Sequence, residues 1–195
     1  MRSAPSKKIF IVHGRDEKNK NELKKMLRRW GLQPIILADQ PHGGRDLLQK
    51  LLDVARPSDI GFAFVLMTAD DVGATVTHYA KFRDRLEGFM DTWHAEKGLG
   101  WPRSTRKQLL PHSDIEAAIK QSHAIFKPRA RQNVVFEHGL CIGTLGPDKV
   151  CLLLSGELEK PSDILGRGYI PFKRTVTERN CRSAIRRELK DAGYD

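Results

Sequence analysis

The sequence predicts an α/β protein built on a doubly wound parallel sheet of about five strands. Apolar runs of strand length alternate with amphipathic segments of helix length, the pattern of repeated strand–helix units. One run, IGFAFVLMT, is apolar on both faces, as a central parallel strand must be. A chain of 195 residues is long enough for one such domain, 1–195, with an insertion.

The first elements follow from local patterns. The run IFIV at residues 9–12 predicts a buried strand that ends in a polar turn. Residues 17–30 predict an amphipathic helix, and Gly31 ends it as a C-terminal cap. The inner face of this helix consists of Leu23, Met26, Leu27 and Trp30.

The remaining strands are also short apolar runs. QPIILAD predicts the second strand, and QPHGGRD a turn that opens the next helix. IGFAFVLMT is the third strand, KVCLLLS the fourth and GYIPF the fifth. The basic stretch TERNCRSAIRRELKDAG predicts a last helix at the end of this sequence.

Residues 74–127 interrupt this alternation with a charged stretch too long for a simple connection. We interpret it as an inserted α-hairpin, whose second helix begins near Ser113 in the capping-box sequence SDIE. The insertion can pack on its own domain, act as a lid or serve self-association. The apolar seam of its first helix consists of Tyr79, Phe82, Leu86, Phe89 and Trp93.

Composition limits the function classes. The net charge of +10 favours polyanions, phosphorylated ligands or acidic partners. Three cysteines without a CxxC pair, and histidines without HExxH, predict no metal site. No apolar run approaches the roughly 20 residues of a membrane span, and no signal peptide is recognisable. We therefore expect a cytoplasmic protein without a membrane partner.

The segment RARQNVVFEHGLCIGTLG raises the question of function, because it is almost wholly apolar and still carries a glutamate. On a helix, Asn133, Glu137 and Thr144 fall on one stripe, and apolar residues cover nearly all the rest. The pattern predicts a buried helix whose polar stripe faces a partner or a cavity. Periodicity leaves open whether Glu137 pairs with an arginine, bonds a helix terminus or lines a pocket.

The neighbouring turns favour a ligand pocket. In a doubly wound sheet, ligands bind beyond the carboxyl ends of the strands, and HGRD, DQPHGGRD and TADDVG each follow a predicted strand. The HGGR turn and the arginines before the Glu137 helix are suited to phosphate. No Walker A or GxGxxG motif is present, which argues against an ordinary kinase, ATPase or Rossmann dehydrogenase.

A lone carboxylate beside a phosphate site suits cleavage of an N-glycosidic bond. Such cleavage passes through a state with oxocarbenium character, whose positive charge a carboxylate stabilises or captures. Positively charged nicotinamide leaves without a general acid, so one glutamate can suffice.

The blocks IFIVHGRD, QPHGGRD, LMTADDVG, RARQNVVFEHGLCIGTLG, KVCLLL and PSDILGRGYIPF resemble the bacterial TIR-like family of nucleotide-binding proteins. The resemblance covers most of the chain outside residues 74–127. It implies a flavodoxin-like TIR fold and a relationship to anti-phage effectors that cleave NAD⁺. It also implies that Glu137 is catalytic. The substrate-binding residues that it implies are His13, Gly14, Arg15, Gly43, Gly44, Arg45, Asp70, Asp71, Arg131 and Asn133.

The leading hypothesis is therefore an NAD⁺ glycohydrolase that uses NAD⁺ as its substrate and needs no further cofactor. A non-catalytic nucleotide-binding or self-assembling module is the main alternative. Nucleic-acid binding, suggested by the basic faces of residues 18–29 and 173–190, lacks the interleaved aromatic residues of a single-strand platform. Nucleoside deoxyribosyl transfer is a related enzyme alternative. We expect self-association, and a partner protein, a ligand or assembly as the trigger.

Overall fold

A computed structural model describes residues 5–39, 47–54, 58–96, 120, 122, 124–164, 166 and 168–194. Seven strands and five helices carry labels here. In chain order they are β1 (Lys8–His13), α1 (Glu17–Arg29), β2 (Gln33–Ile36), α2 (Leu47–Val54), β3 (Phe62–Met67), β4 (Asp71–Gly73), α3 (Val76–Glu96), β5 (Lys127–Arg129), α4 (Gln132–Leu145), β6 (Val150–Ser155), β7 (Tyr169–Phe172) and α5 (Arg179–Asp191).

Five strands form one parallel sheet in the order β2-β1-β3-β6-β7. In its register, Ile9 lies beside Pro34 of β2 and Phe62 of β3. The chain therefore places β2 and β3 on opposite sides of β1, which makes the carboxyl ends of β1 and β3 the switch point of the sheet. The predicted strand number and sheet type are confirmed.

Helices cover both faces of the sheet. Alternate residues of β1 point to opposite faces: Ile9 and Ile11 belong to one buried cluster, and Phe10 and Val12 to the other. The first cluster includes residues of α1 and α5, and the second includes residues of α2 and α4. All six residues of β3 are buried, as its apolar sequence predicts. The doubly wound arrangement is therefore confirmed.

Helix α4 differs from its prediction in one respect. Only one stripe of it is buried, formed by Val134, His138, Cys141 and Leu145, while the Phe136 side chain is 58% exposed. The helix forms the outer layer on one face of the sheet, so its far side has no sheet to contact. The expectation of a helix buried nearly all round was wrong.

The chain divides into two compact units, one of residues 1–71 with 128–195 and the other of residues 72–127. In the second unit, α3 includes Tyr79 and Phe82 of the predicted seam, and the Phe126 ring lies 6.5 Å from Tyr79 and 5.6 Å from Phe82. The side chains of Phe89 and Trp93 lie outside the described residues. The predicted helix start at Ser113 lies outside the described residues, although residues 120, 122, 124 and 125 are helical. A single domain with an insertion at 74–127 stays a prediction.

Two short strands were not predicted. β4 and β5 form a separate two-stranded sheet. Each has three residues, too few for an alternating pattern to register in the sequence. Within the described part of the chain, no helix is long and apolar enough to cross a membrane.

Candidate active site

The loops that follow β1 and β3 meet at the switch point through Asp70. The Oδ1 atom of Asp70 accepts hydrogen bonds from the backbone N–H of Arg15, at 3.1 Å, and from the Thr68 hydroxyl, at 2.9 Å. The sheet register brings these loops together, because His13 lies beside Leu66 at the carboxyl ends of β1 and β3. Three residues predicted from the first loop, His13, Gly14 and Arg15, therefore lie next to a residue predicted from the third.

Gly14 fits against Asp70 so closely that a side chain has no room. A Cβ atom at Gly14 would lie 1.7 Å from Oδ2 of Asp70. The Oδ2 atom is buried, and no hydrogen-bond donor among the described residues reaches it. The Asp70 carboxylate thus braces the first loop through Oδ1, while Oδ2 is a buried acceptor pressed onto the glycine. Contact between Asp70 and a ligand stays a prediction.

His13 closes β1 as a half-buried, neutral side chain. Its Nδ1–H donates to the carbonyl oxygen of Gly14, at 2.9 Å. Burial lowers the pKa of His13 below 6.5, and the nearby charge of Lys20 lowers it further. The ring is therefore uncharged at neutral pH, and Nδ1 is the protonated nitrogen.

The start of α4 is tied to the same edge of the sheet. The backbone N–H of Asp70 donates to the carbonyl oxygen of Arg129, at 3.1 Å. Arg131 is the N-cap of α4 and is exposed, and Asn133 lies exposed in the first turn. Free N–H groups and a guanidinium at a helix start favour anionic groups. This end of α4 can therefore hold a phosphate next to the Asp70 loop.

Glu137 lies in the second turn of α4 and is half-buried. Among the described residues, no hydrogen bond or ion pair within 4.0 Å holds its carboxylate. Burial raises the pKa of Glu137 from 4.5 to about 7, and the positive charge of Arg131 only partly opposes this. A carboxylate with that pKa exchanges its proton near neutral pH and is available to a ligand.

The comparisons with known proteins identify the family. The family model of the CAP12/Pycsar effector protein TIR domain matches residues 8–87 and 105–174, which is most of the chain. The chain belongs to this TIR-domain family. This match confirms the family resemblance and the TIR-like fold that the sequence predicts.

Two curated relatives are similar over most of this TIR domain. The uncharacterized protein YuaY of Escherichia coli K12 is 33% identical over 164 residues, which are 84% of this chain and 39% of YuaY. Protein tirC of Dictyostelium discoideum is 25% identical over 177 residues, which are 88% of this chain and 67% of tirC. The chain therefore spans about two fifths of the first relative and two thirds of the second.

Other predicted site residues of the TIR domain are placed less fully. Gly43, Gly44 and Arg45 lie outside the described residues. Asp71 is half-buried and begins β4. Three cavities lined by described residues have volumes of about 490, 370 and 150 Å³, and Glu137 lines none of these three.

Sequence reasoning missed a buried polar residue next to Glu137, which is His138. Its side chain is 2% exposed and lies on the sheet-facing stripe of α4, immediately after Glu137. Its position in an apolar segment was the available signal, because periodicity places residue 138 on the stripe of Val134 and Cys141.

The cysteines of the TIR domain are buried thiols. Burial raises the pKa of Cys141 to about 12 and that of Cys181 to about 11, and it also raises the pKa of Cys151. They are inert as nucleophiles near neutral pH. No group of three or more His, Cys, Asp or Glu side chains suited to a metal ion occurs among the described residues. The absence of a metal stays a prediction.

Proposed function

We propose that this TIR domain is an NAD⁺ glycohydrolase that releases nicotinamide and leaves ADP-ribose or a cyclised product. The observation that carries the proposal is Glu137: a half-buried carboxylate on α4 whose pKa burial raises to about 7. The family description as an effector protein is consistent with an activity that acts on a common metabolite in defence. The relatives are longer than the part this chain matches, and that a longer protein with this domain has the same activity is part of the proposal.

Each part of the proposed site has one task. The bond between C1′ of the ribose and the ring nitrogen of nicotinamide breaks, and nicotinamide takes the bonding electron pair and leaves neutral. Positive charge develops on C1′ and the ring oxygen, where the ionised Glu137 carboxylate stabilises or captures it. Water then adds to C1′ and loses a proton, which gives ADP-ribose.

The cationic start of α4 would hold the pyrophosphate of the substrate. Asp70 contacts both segments: its N–H donates to the carbonyl oxygen of Arg129, just before α4, and its Oδ1 accepts from the N–H of Arg15. The first turn of α4 and the loop of Gly14 and Arg15 therefore lie at one edge of the sheet. Binding there is electrostatic and positions the ribose without taking part in bond cleavage. A positively charged nicotinamide riboside near Glu137 would also favour the ionised carboxylate.

The test is chromatography of NAD⁺ incubated with concentrated protein. We expect nicotinamide from the wild type and a loss of at least about 100-fold in Glu137→Gln, since the developing charge would lose its partner. Glu188→Gln is the matched control, because Glu188 is an exposed glutamate on α5. Unchanged nicotinamide release in Glu137→Gln would contradict the proposal, and the companion peak would distinguish linear from cyclised product.

A second candidate is a self-assembling module that does not turn NAD⁺ over. The exposed Phe136 favours it, because a large apolar side chain on an outer helix commonly marks an interaction surface. Light scattering against protein concentration tests this candidate. Self-association that Phe136→Ser reduces, with no nicotinamide from the wild type in the assembled state, would favour it over the enzyme.

A further inference from the structure

The two basic helices lie side by side on one face of the sheet. Leu27 of α1 and Ile185 of α5 belong to the same buried cluster. Asn19 of α1 also accepts a hydrogen bond from the backbone N–H of Val176, just before α5. Their outer faces, which are separate in the sequence, therefore form one positively charged surface.

A cleft of about 490 Å³ opens between the ends of these helices. We call it the α1–α5 cleft. Its floor includes Leu189, which is 3% exposed, and Tyr194, which is 8% exposed. Its rim carries the exposed cations Arg29, Arg186 and Lys190. A volume of this size and an apolar floor are typical of sites for small organic ligands.

Among the described residues, the rim cations have no fixed counter-ion. In the described part of the chain, no ion pair joins Arg29, Arg186 or Lys190 to a carboxylate. A smaller cavity of about 150 Å³ continues past Trp30 and adds Lys25 and Arg182. Its one carboxylate, Glu22, accepts a hydrogen bond from the Thr175 hydroxyl. The carboxyl-terminal ends of α1 and α5 offset part of the charge of Arg29 and Lys190, which lie in their last turns. The described side chains of the cleft still carry an excess of positive charge that an anion would neutralise.

Trp30 gives the cleft an ordered aromatic wall. The guanidinium groups of Arg186 and Arg182 lie 5.8 Å and 6.0 Å from the centre of its ring. Cation–π contacts of this kind restrict the arginine side chains while leaving their N–H donors free. Arg186 is therefore held beside the ring at the mouth of the cleft.

The cleft lies at the edge of the sheet opposite the candidate active site. α1 ends at Arg29 just before β2 begins at Gln33, and the Tyr194 hydroxyl donates to the carbonyl oxygen of Ser6, just before β1. A six-residue strand such as β1 separates the two edges by about 20 Å. A ligand in the cleft cannot touch Glu137.

We propose that the α1–α5 cleft binds a phosphorylated nucleoside, with phosphate on the cationic rim and the base against Trp30 and the apolar floor. Arginine forks match phosphate oxygens in pairs, and an aromatic wall and buried apolar floor match a base. The bounded volume fits one nucleotide, whereas a nucleic-acid track would need a groove that continues along the chain.

The experiment is calorimetric titration of the full chain with magnesium-free ATP, inorganic tripolyphosphate, adenosine and a single-stranded oligothymidylate. We expect ATP to bind once per chain, and tripolyphosphate and adenosine to bind at least about tenfold more weakly. Arg29→Glu and Arg186→Glu should each weaken ATP binding by about tenfold or more. Arg187→Glu, the same charge change one residue along α5 and outside the cleft, should change it by less than about threefold.

The outcomes are distinct. Equal weakening by Arg186→Glu and Arg187→Glu would reduce the effect to general charge attraction and overturn the proposal. So would tripolyphosphate binding as tightly as ATP, an oligonucleotide that binds far more tightly, or no ATP binding at millimolar concentration. Thermal melts check that the variants fold, and all three substituted positions are exposed. Because the readout is binding, its result is independent of whether NAD⁺ is cleaved.

Discussion

At the scale of single residues, the burial of Glu137 has a consequence for stability. The carboxyl group has a pKa of about 7 in the folded protein, above its ordinary value of 4.5. The folded state therefore binds a proton more tightly than the unfolded chain does. The stability contributed by Glu137 falls as pH rises from about 4.5 to about 7, and the loss is complete above that range.

Glu137→Gln should therefore be more stable than the wild type at pH 8, by about 1–3 kcal/mol. The gain should shrink at pH 5, where the wild-type carboxyl group is mostly protonated. Thermal melts of both proteins at the two pH values measure this, with Glu188→Gln, at an exposed glutamate of α5, as the control substitution. An equal difference at both pH values would mean that the carboxyl group is not desolvated.

The contact of Gly14 with Asp70 predicts unequal effects for two glycine substitutions. Gly14→Ala places a methyl group where Oδ2 of Asp70 lies, so the two loops must separate, at a cost of about 1–3 kcal/mol. Gly139→Ala is the control, because a Cβ there meets nothing within 4 Å and Gly139 lies inside α4. It should stabilise the protein by about 0.5–1 kcal/mol. Urea unfolding measures both, and similar effects of the two substitutions would refute the assigned contact.

At the residue level, the sequence can single out a side chain whose chemistry differs from its surroundings. Glu137 was identifiable because it is the single carboxylate in an apolar segment. The contacts of Gly14 and Arg15 with Asp70 depend on β1 and β3, about 50 residues apart in the chain, pairing at one register. No local pattern contains that pairing.

At the scale of elements, Asn19 joins the start of α1 to the segment before α5. Its amide donates to Oδ2 of Asp16, the N-cap of α1, at 2.7 Å, and its Oδ1 accepts from the N–H of Val176, at 2.9 Å. The side chain is 4% exposed. Asn19→Ala leaves a buried N–H without an acceptor, so we expect a loss of about 2–3 kcal/mol in urea unfolding. Asn21→Ala, on the exposed side of α1, should stay within about 0.5 kcal/mol, and equal losses would contradict the assigned role.

The long elements could be predicted from the sequence, and their partners could not. Strand and helix periods are local, so β3 and α1 were evident, and α1 was predicted to within one residue of Glu17–Arg29. That α1 and α5 share a sheet face follows from the strand order, which brings distant parts of the chain together. The α1–α5 cleft forms only where these two helices pack together, so no local sequence pattern predicts it.

At the scale of the whole molecule, residues 1–71 and 128–195, which we call the sheet unit, carry their own core. Both buried clusters consist of residues outside 72–127. The chain also leaves and re-enters this unit at neighbouring points, because the N–H of Asp70 donates to the carbonyl oxygen of Arg129, at 3.1 Å. A linker of about four glycine and serine residues can join Asp71 to Pro128 without stretching the chain.

Replacing residues 72–127 with such a linker should therefore leave a cooperatively folding protein. The excision removes no residue of either core cluster, and it shortens the loop roughly tenfold, which favours the folded state by about 2 kcal/mol. Losing the β4–β5 pairing acts in the opposite direction, so the melting temperature should stay within about 5 °C of the wild type. Circular dichroism melts measure it, with the intact chain beside the excised one. A broad, non-cooperative melt would show that residues 72–127 contribute to the fold of the sheet unit. After a sharp melt, nicotinamide release by the excised protein would measure directly whether residues 72–127 control Glu137.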